Sequence, residues 1–256
     1  MTIRVGVLGA AGRMGAAVCD AVHADPDLSL VAAFDPHAGS GESVHGVTLV
    51  NTIDDLLAAE PQVVVDFTVA DAARANLPLV AEAGVHAVVG TTGFEDADLE
   101  MLRGAFTSSS CLVAANFAIS AVLMMRFAEL AAPFFESGEV IELHHENKID
   151  APSGTAAATL ERMAAASSDW MADPTEHELY PGARGGEGPA GIRVHSVRMR
   201  GMVAHQEVIL GALGQSLTIR QDSYDRTSFM PGVVLACKRI ADYPGLTIGL
   251  DELLDI

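Results

Sequence analysis

Over the first 117 residues, short apolar runs alternate with stretches whose apolar residues recur at helical spacing. The pattern predicts strands over 3–8, 28–34, 63–67, 85–89 and 112–115, and helices over 14–24, 53–59, 71–83 and 96–106. Strands that alternate with helices imply a parallel sheet with right-handed crossovers. From Ser120 the texture changes. An apolar helix over 120–135 precedes a strand over 139–145, then a helix over 155–166 and a Gly- and Pro-bearing loop over 168–190. Three strands follow in sequence, over 192–200, 205–211 and 216–222, which indicates a second, mostly antiparallel α+β domain. The segment 228–242 returns to a helix with Val233, Val234, Ala236, Cys237 and Ile240 on its apolar face. The expected division is residues 1–117 with 226–256 in one domain and 118–225 in the other.

Composition narrows the choice of partners. Half of the 256 residues are apolar, enough for a substantial core. A net charge of −19 repels a phosphate backbone, so a nucleic-acid role is not expected. No apolar run approaches the roughly 18 residues of a membrane span, and the start Met1-Thr2-Ile3-Arg4-Val5 reads as a strand rather than a signal peptide. Cys19, Cys111 and Cys237 lie singly among apolar neighbours, as reduced core residues of a cytoplasmic protein would, and neither they nor the histidines have metal-ligand spacing. An anionic ligand must therefore be held by a local exception to the overall charge. The candidates are Arg13, His144, His145, Lys148 and helix N-termini.

Chemistry concentrates in Glu142-Leu-His-His-Glu-Asn-Lys-Ile-Asp-Ala-Pro-Ser-Gly-Thr155. Lys148 is one of two lysines among fifteen Lys and Arg residues. An ammonium can lose its proton where a guanidinium cannot. The bland alternative is a strand end with one His packed and one solvated, followed by a helix that Ser153 caps. The two readings are compatible, since a capped helix start presents N–H groups to a carboxylate or phosphate.

A second constellation is Gly9-Ala-Ala-Gly-Arg-Met-Gly15, between a predicted strand and a predicted helix, where glycines permit a tight turn and close approach of a pyrophosphate. Asp35 ends the next strand 20 residues after Gly15, the distance expected of a carboxylate on the ribose of NAD, or else it is a solvated residue before Pro36. Arg13 beside the turn attracts a 2′-phosphate, so NADH is expected to bind and NADPH to be accepted. Gly90-Thr91-Thr92-Gly93 and Ala114-Ala115-Asn116-Phe117 close two further strands of the same sheet, where ligands bind in open α/β folds.

These strings, with His195-Ser-Val-Arg-Met-Arg-Gly, Ala204-His-Gln-Glu-Val and Asp225-Arg-Thr-Ser-Phe, resemble the dihydrodipicolinate (4-hydroxy-tetrahydrodipicolinate) reductase family, and the compact loops resemble its actinobacterial branch. The resemblance implies a Rossmann-type dinucleotide-binding domain, a substrate domain on a mixed sheet, and a homotetramer formed through that sheet. It implies NAD(P)H-dependent reduction of a small cyclic dicarboxylate in the diaminopimelate route to lysine. His144 and Lys148 would be catalytic, with His145, Ser153, Gly154 and Thr155 on the substrate. Gly9, Ala10, Ala11, Gly12, Arg13, Met14, Asp35, Gly90, Thr91, Thr92, Ala114, Ala115, Asn116 and Phe117 would hold the cofactor. Two departures from relatives matter: many have Pro where Ala115 stands, and a close branch has Lys where Ala11 and Arg13 stand, so that one cation is lost, at position 11, which weakens a strong NADPH preference. The rival readings are another NAD(P)-dependent dehydrogenase on this architecture and a non-catalytic NAD(P)-sensing protein.

Overall fold

The computed structural model describes residues 2–256. In chain order its elements are β1 (Ile3–Leu8), α1 (Arg13–Ala24), β2 (Leu28–Phe34), β3 (Ser43–Val44), β4 (Val47–Val50), α2 (Ile53–Ala58), β5 (Val63–Asp66), α3 (Ala70–Glu82), β6 (His86–Val89), α4 (Asp96–Ala105) and β7 (Ser110–Val113). There follow α5 (Ile119–Ala131), β8 (Ser137–His144), α6 (Gly154–Ala166), β9 (Gly186–Glu187), β10 (Arg193–Arg198), β11 (Ala204–Ala212), β12 (Gln215–Ser223), α7 (Met230–Arg239) and β13 (Gly245–Ile248). The chain divides into two compact units, one ending at Ile119 and resuming at Arg226, the other Ser120–Asp225.

The first unit is an α/β layer built on the sheet β13-β7-β6-β5-β1-β2-β4-β3. Every pairing is parallel except the short β3–β4 hairpin. Val5, Val7, Val63, Val64, Val65, Ala87, Val88 and Val89 are all buried, because helices cover both faces of such a sheet and its strands read as unbroken apolar runs. Alternation sends Val64, Ala87 and Val89 to the cluster holding Leu56, Leu77, Leu102 and Phe106 of α2, α3 and the end of α4. Helices α1 and α7 pack together, and α7 meets β1, β5 and β6. The strand order turns back at β1, between β2 and β5, so the ends of β1 and β5 flank a topological switch point.

The second unit is a five-stranded sheet in the order β12-β11-β8-β10-β9. It is mixed: β8 and β10 run parallel and the other neighbours antiparallel. The parallel pair follows from α6, which carries the chain across from β8 and buries Ala156, Thr159, Leu160 and Met163. Val140, Glu142, Gln206, Val208 and Leu210 are buried, and Gln206 Nε2 donates to Thr159 Oγ1 at 2.7 Å.

Several expected boundaries shift for local reasons. The helix expected over 120–135 ends at Ala131, because Pro133 cannot continue it and Ala132–Phe134 tighten into a 3-10 turn. The helix expected over 228–242 is α7 flanked by 3-10 turns at both ends. The strands β3, β4, β9 and β13 were not anticipated; each is two to four residues long.

Glycine is required at Gly15, where an added Cβ would lie 2.0 Å from the Gly9 carbonyl oxygen, whereas at Gly104 in α4 nothing lies within 4 Å. Gly15→Ala should therefore destabilise by about 1–3 kcal/mol through overpacking against backbone. Gly104→Ala should stabilise by about 0.4–1 kcal/mol by restricting the unfolded chain. Urea unfolding of the two variants checks the opposite signs.

Candidate active site

In the first unit, the expected cofactor residues gather at the carboxyl edge of the parallel sheet. Gly9, Ala10, Ala11 and Gly12 form the turn after β1, Arg13 and Met14 open α1, Asp35 follows β2, Gly90-Thr91-Thr92 follows β6, and Ala114–Phe117 follows β7. Gly9 has φ +75°, and Gly9 and Ala10 both donate to the Phe34 carbonyl at 2.9 Å. Helix α1 begins without a side-chain cap and without an acidic residue in its first turn, which suits an anionic ligand. The turn thus joins a tight glycine bend to an uncapped helix start, the local features that an anion requires.

Asp35 does more there than the spacing suggested. Its Oδ2 accepts from Ala11 N–H at 3.2 Å and its Oδ1 from His37 N–H at 3.0 Å, so the carboxylate braces the glycine turn. Asp66, which sequence reasoning passed over as the end of an apolar strand, ties the neighbouring loops together. Its Oδ1 accepts from Thr68 N–H at 2.8 Å, Thr68 Oγ1 at 2.7 Å and Thr91 Oγ1 at 2.8 Å. Its Oδ2 is buried without a partner, and burial pushes the carboxyl up despite those three bonds. Phe67 and Phe117 pack with ring centroids 5.6 Å apart, and Ala118 N–H donates to Asn116 Oδ1 at 2.8 Å.

In the second unit, β8 ends at His144 and a short loop leads through His145, Lys148 and Asp150 to Ser153, the cap of α6. Ser153 Oγ accepts from Ala156 N–H at 3.2 Å, and Gly154 and Thr155 form the first helical turn. His145 is exposed, while Lys148 is largely covered and donates to both Asp150 oxygens at 2.8 Å.

Glu142 and Arg198 are the site residues to which sequence reasoning gave no role. Glu142 is fully buried on β8, two residues before His144 and on the same face. Arg198 Nη2 donates to its Oε1 at 2.7 Å and Nη1 to its Oε2 at 2.8 Å. Ser153 N–H donates to Oε1 at 3.2 Å, and His144 Nδ1 lies 2.5 Å from Oε2. Arg198 Nη2 also reaches the Asp150 carbonyl at 2.7 Å. Burial pushes the Glu142 carboxyl up, but hydrogen bonds from Arg198, Ser196 and His144 outweigh it and hold the group below the usual glutamate range. Burial holds the His144 imidazole below its ordinary value, with Lys148 and Arg198 adding to that effect and Glu142 opposing it, so the ring is neutral at pH 7.

Since the folded state depresses the Glu142 carboxyl, the stability it contributes is present above the unfolded value of about 4.3 and is lost as pH falls through the folded value. Arg198→Met leaves that carboxylate buried without its cation, which should cost about 3–5 kcal/mol at pH 7. Protonation relieves the stranded charge, so the deficit against wild type should shrink on lowering the pH to about 4. Urea unfolding at the two pH values measures it; an unchanged deficit would show that lost packing, not charge, is the cause.

The model for dihydrodipicolinate reductase, N-terminus, matches residues 3–117, and that for its C-terminus matches residues 120–254. The chain is 52% identical to 4-hydroxy-tetrahydrodipicolinate reductase of Nocardia farcinica, over 100% of both chains, and 51% identical to that of Corynebacterium urealyticum, over 99% of both. A solved dipicolinate-bound dihydrodipicolinate reductase from Paenisporosarcina sp. TG-14 superposes with a TM-score of 0.90 at 37% identity, covering 98% of this chain and 99% of that one. The chain belongs to the dihydrodipicolinate reductase family.

Proposed function

We propose that the protein reduces the conjugated imine formed when 4-hydroxy-tetrahydrodipicolinate loses its 4-hydroxyl as water, giving tetrahydrodipicolinate in the diaminopimelate route to lysine. The observation that carries this is the second unit's loop, where the His144 imidazole, a lysine and the Ser153-capped start of α6 lie within a few residues of one another. Cofactor use is of the NAD(P)H class. NADH or NADPH, held by Gly9–Met14, Asp35, Gly90–Thr92 and Ala114–Phe117, supplies the hydride that reduces the ring.

The protein's own residues then handle charge and proton. Lys148, His145 and the N–H groups of Gly154 and Thr155 at the start of α6 bind the two substrate carboxylates and orient the ring. Reduction leaves an electron-rich enamine that must take a proton at carbon, and His144 or Lys148 delivers it. The protein works in the cytoplasm as a homotetramer joined through the β8–β12 sheet. Supporting that assembly, α6 covers one face, while Ile141, Leu143, Val197 and Ile209 on the other are only half-buried in the single chain.

The test is oxidation of NADH and NADPH coupled to the synthase that forms the substrate. Wild type should turn over both cofactors, and His144→Ala or Lys148→Ala should lower kcat about 10²–10⁴-fold with folding intact. Near wild-type kcat in both variants would overturn the roles given to His144 and Lys148, and absence of turnover in wild type would favour a cofactor-sensing role.

Because Asp35 braces the turn that holds either cofactor, Asp35→Ala should raise KM for NADPH as well as for NADH. The NADH effect should be larger by about tenfold, or ~1.4 kcal/mol, through the lost ribose contact. Equal increases in the two KM values would reduce Asp35 to a brace.

A further inference from the structure

We propose that Glu142 and Arg198 are a positioning pair for the reduction: Glu142 fixes the His144 ring through Nδ1–H, and Arg198 joins that carboxylate to the loop carrying Lys148. The assignment rests on the function proposed above. Neither residue needs to touch substrate.

An ionised carboxylate only accepts hydrogen bonds, and two nitrogens of one guanidinium hold Glu142 in that form. The hydrogen between Glu142 and His144 must therefore sit on Nδ1, which leaves Nε2 of the neutral ring as a bare acceptor. A proton taken up by the ring lands on Nε2 and leaves from Nε2, so uptake from solvent and delivery to the enamine carbon use one atom and need no ring flip. The charged groups facing the ring are Glu142 on its own strand, Arg198 on β10, and Lys148 and Asp150 on the loop. Arg198 bonds two of the others directly and reaches Lys148 through Asp150. Its Nη2 bonds both Glu142 Oε1 and the Asp150 carbonyl, and Asp150 in turn clasps Lys148. One side chain thus sets the separation of the two groups named for proton delivery.

Glu142→Gln is the discriminating change. Arg198 would claim the amide oxygen, turning the NH₂ toward His144 and forcing the imidazole into the Nε2–H tautomer. The expected result is a fall in kcat of about 10²–10⁴-fold, the scale seen when an amide replaces the carboxylate orienting a catalytic imidazole. KM for the cofactor should not change. The limb of the pH profile belonging to His144 should move to lower pH, because the group that stabilises its cation is gone while burial, Lys148 and Arg198 remain. Nitrogen-15 shifts of His144 should show Nδ1–H in wild type and Nε2–H in Glu142→Gln. Glu142→Asp, which restores the carboxylate, should recover Nδ1–H and part of kcat.

A Glu142→Gln enzyme that keeps the Nδ1–H tautomer or an unmoved His144 limb overturns the proposal. An Nε2–H ring in wild type overturns it as well, and that spectrum decides even where the Gln variant does not fold. Absence of turnover in wild type would instead sink the function proposed above, with the tautomer still reporting on Glu142.

Discussion

A carboxylate with no exposed surface survives in a protein only if the chain returns what water would have supplied. Glu142 is such a group, and the second unit is arranged around meeting its demand. Arg198 comes from the neighbouring parallel strand, Ser153 N–H from the start of the next helix, and His144 from the same strand two residues on. Each is thereby fixed relative to the others. Removing the carboxylate would loosen a strand end, a helix cap and the His144 ring together, whereas no other described side chain of the site bonds to all three.

The parallel β8–β10 register is what allows this. It sets Arg198 opposite His144 and Ser196 opposite Glu142, so two residues far apart in sequence face the same buried point. The crossover that makes the pair parallel is α6, whose first turn is also the proposed carboxylate site. Helix, strand pairing and anion site are consequences of one connection. The first unit applies a comparable economy with one carboxyl oxygen instead of two. Asp66 holds the loops after β5 and β6 with one oxygen while its other oxygen lies buried and unpartnered. Burial raises its carboxyl above the ordinary aspartate value, against the three hydrogen bonds that favour the charged form.

How much of this was legible in the sequence follows from what each feature depends on. The parallel sheet of the first unit was readable because strands buried on both faces show as apolar runs such as Val63–Val65. The edge strands β3, β9 and β13 were not, since a few residues at a sheet edge carry no periodicity to detect. The loop from His144 to Thr155 stood out because its chemistry is contiguous. Arg198 did not, because only strand pairing brings it to Glu142 across 56 residues. Glu142 itself could have been found: alternation puts it on the His144 face, and an acid on the covered face of a strand demands a partner. The burial that makes it consequential comes from α6 and is invisible in local sequence.

Charge balance links the site to the strongly acidic chain around it. With His144 neutral, the cations of the site are Lys148 and Arg198, and each is already matched by a carboxylate, Asp150 and Glu142 respectively. A dianionic substrate therefore meets no surplus of positive side-chain charge. Arg198 cannot be released, because Glu142 would be stranded in the interior. Lys148 can be, because Asp150 is exposed and water can take over its solvation. In the proposed binding, substrate enters by an exchange: one ring carboxylate would replace Asp150 on Lys148 and the other would lie at the start of α6. The buried pair is the fixed half of the electrostatics and the exposed pair the exchangeable half. That division would permit the anion binding proposed for Lys148, within a chain of net charge −19, without opening the core that Glu142 and Arg198 hold beside His144.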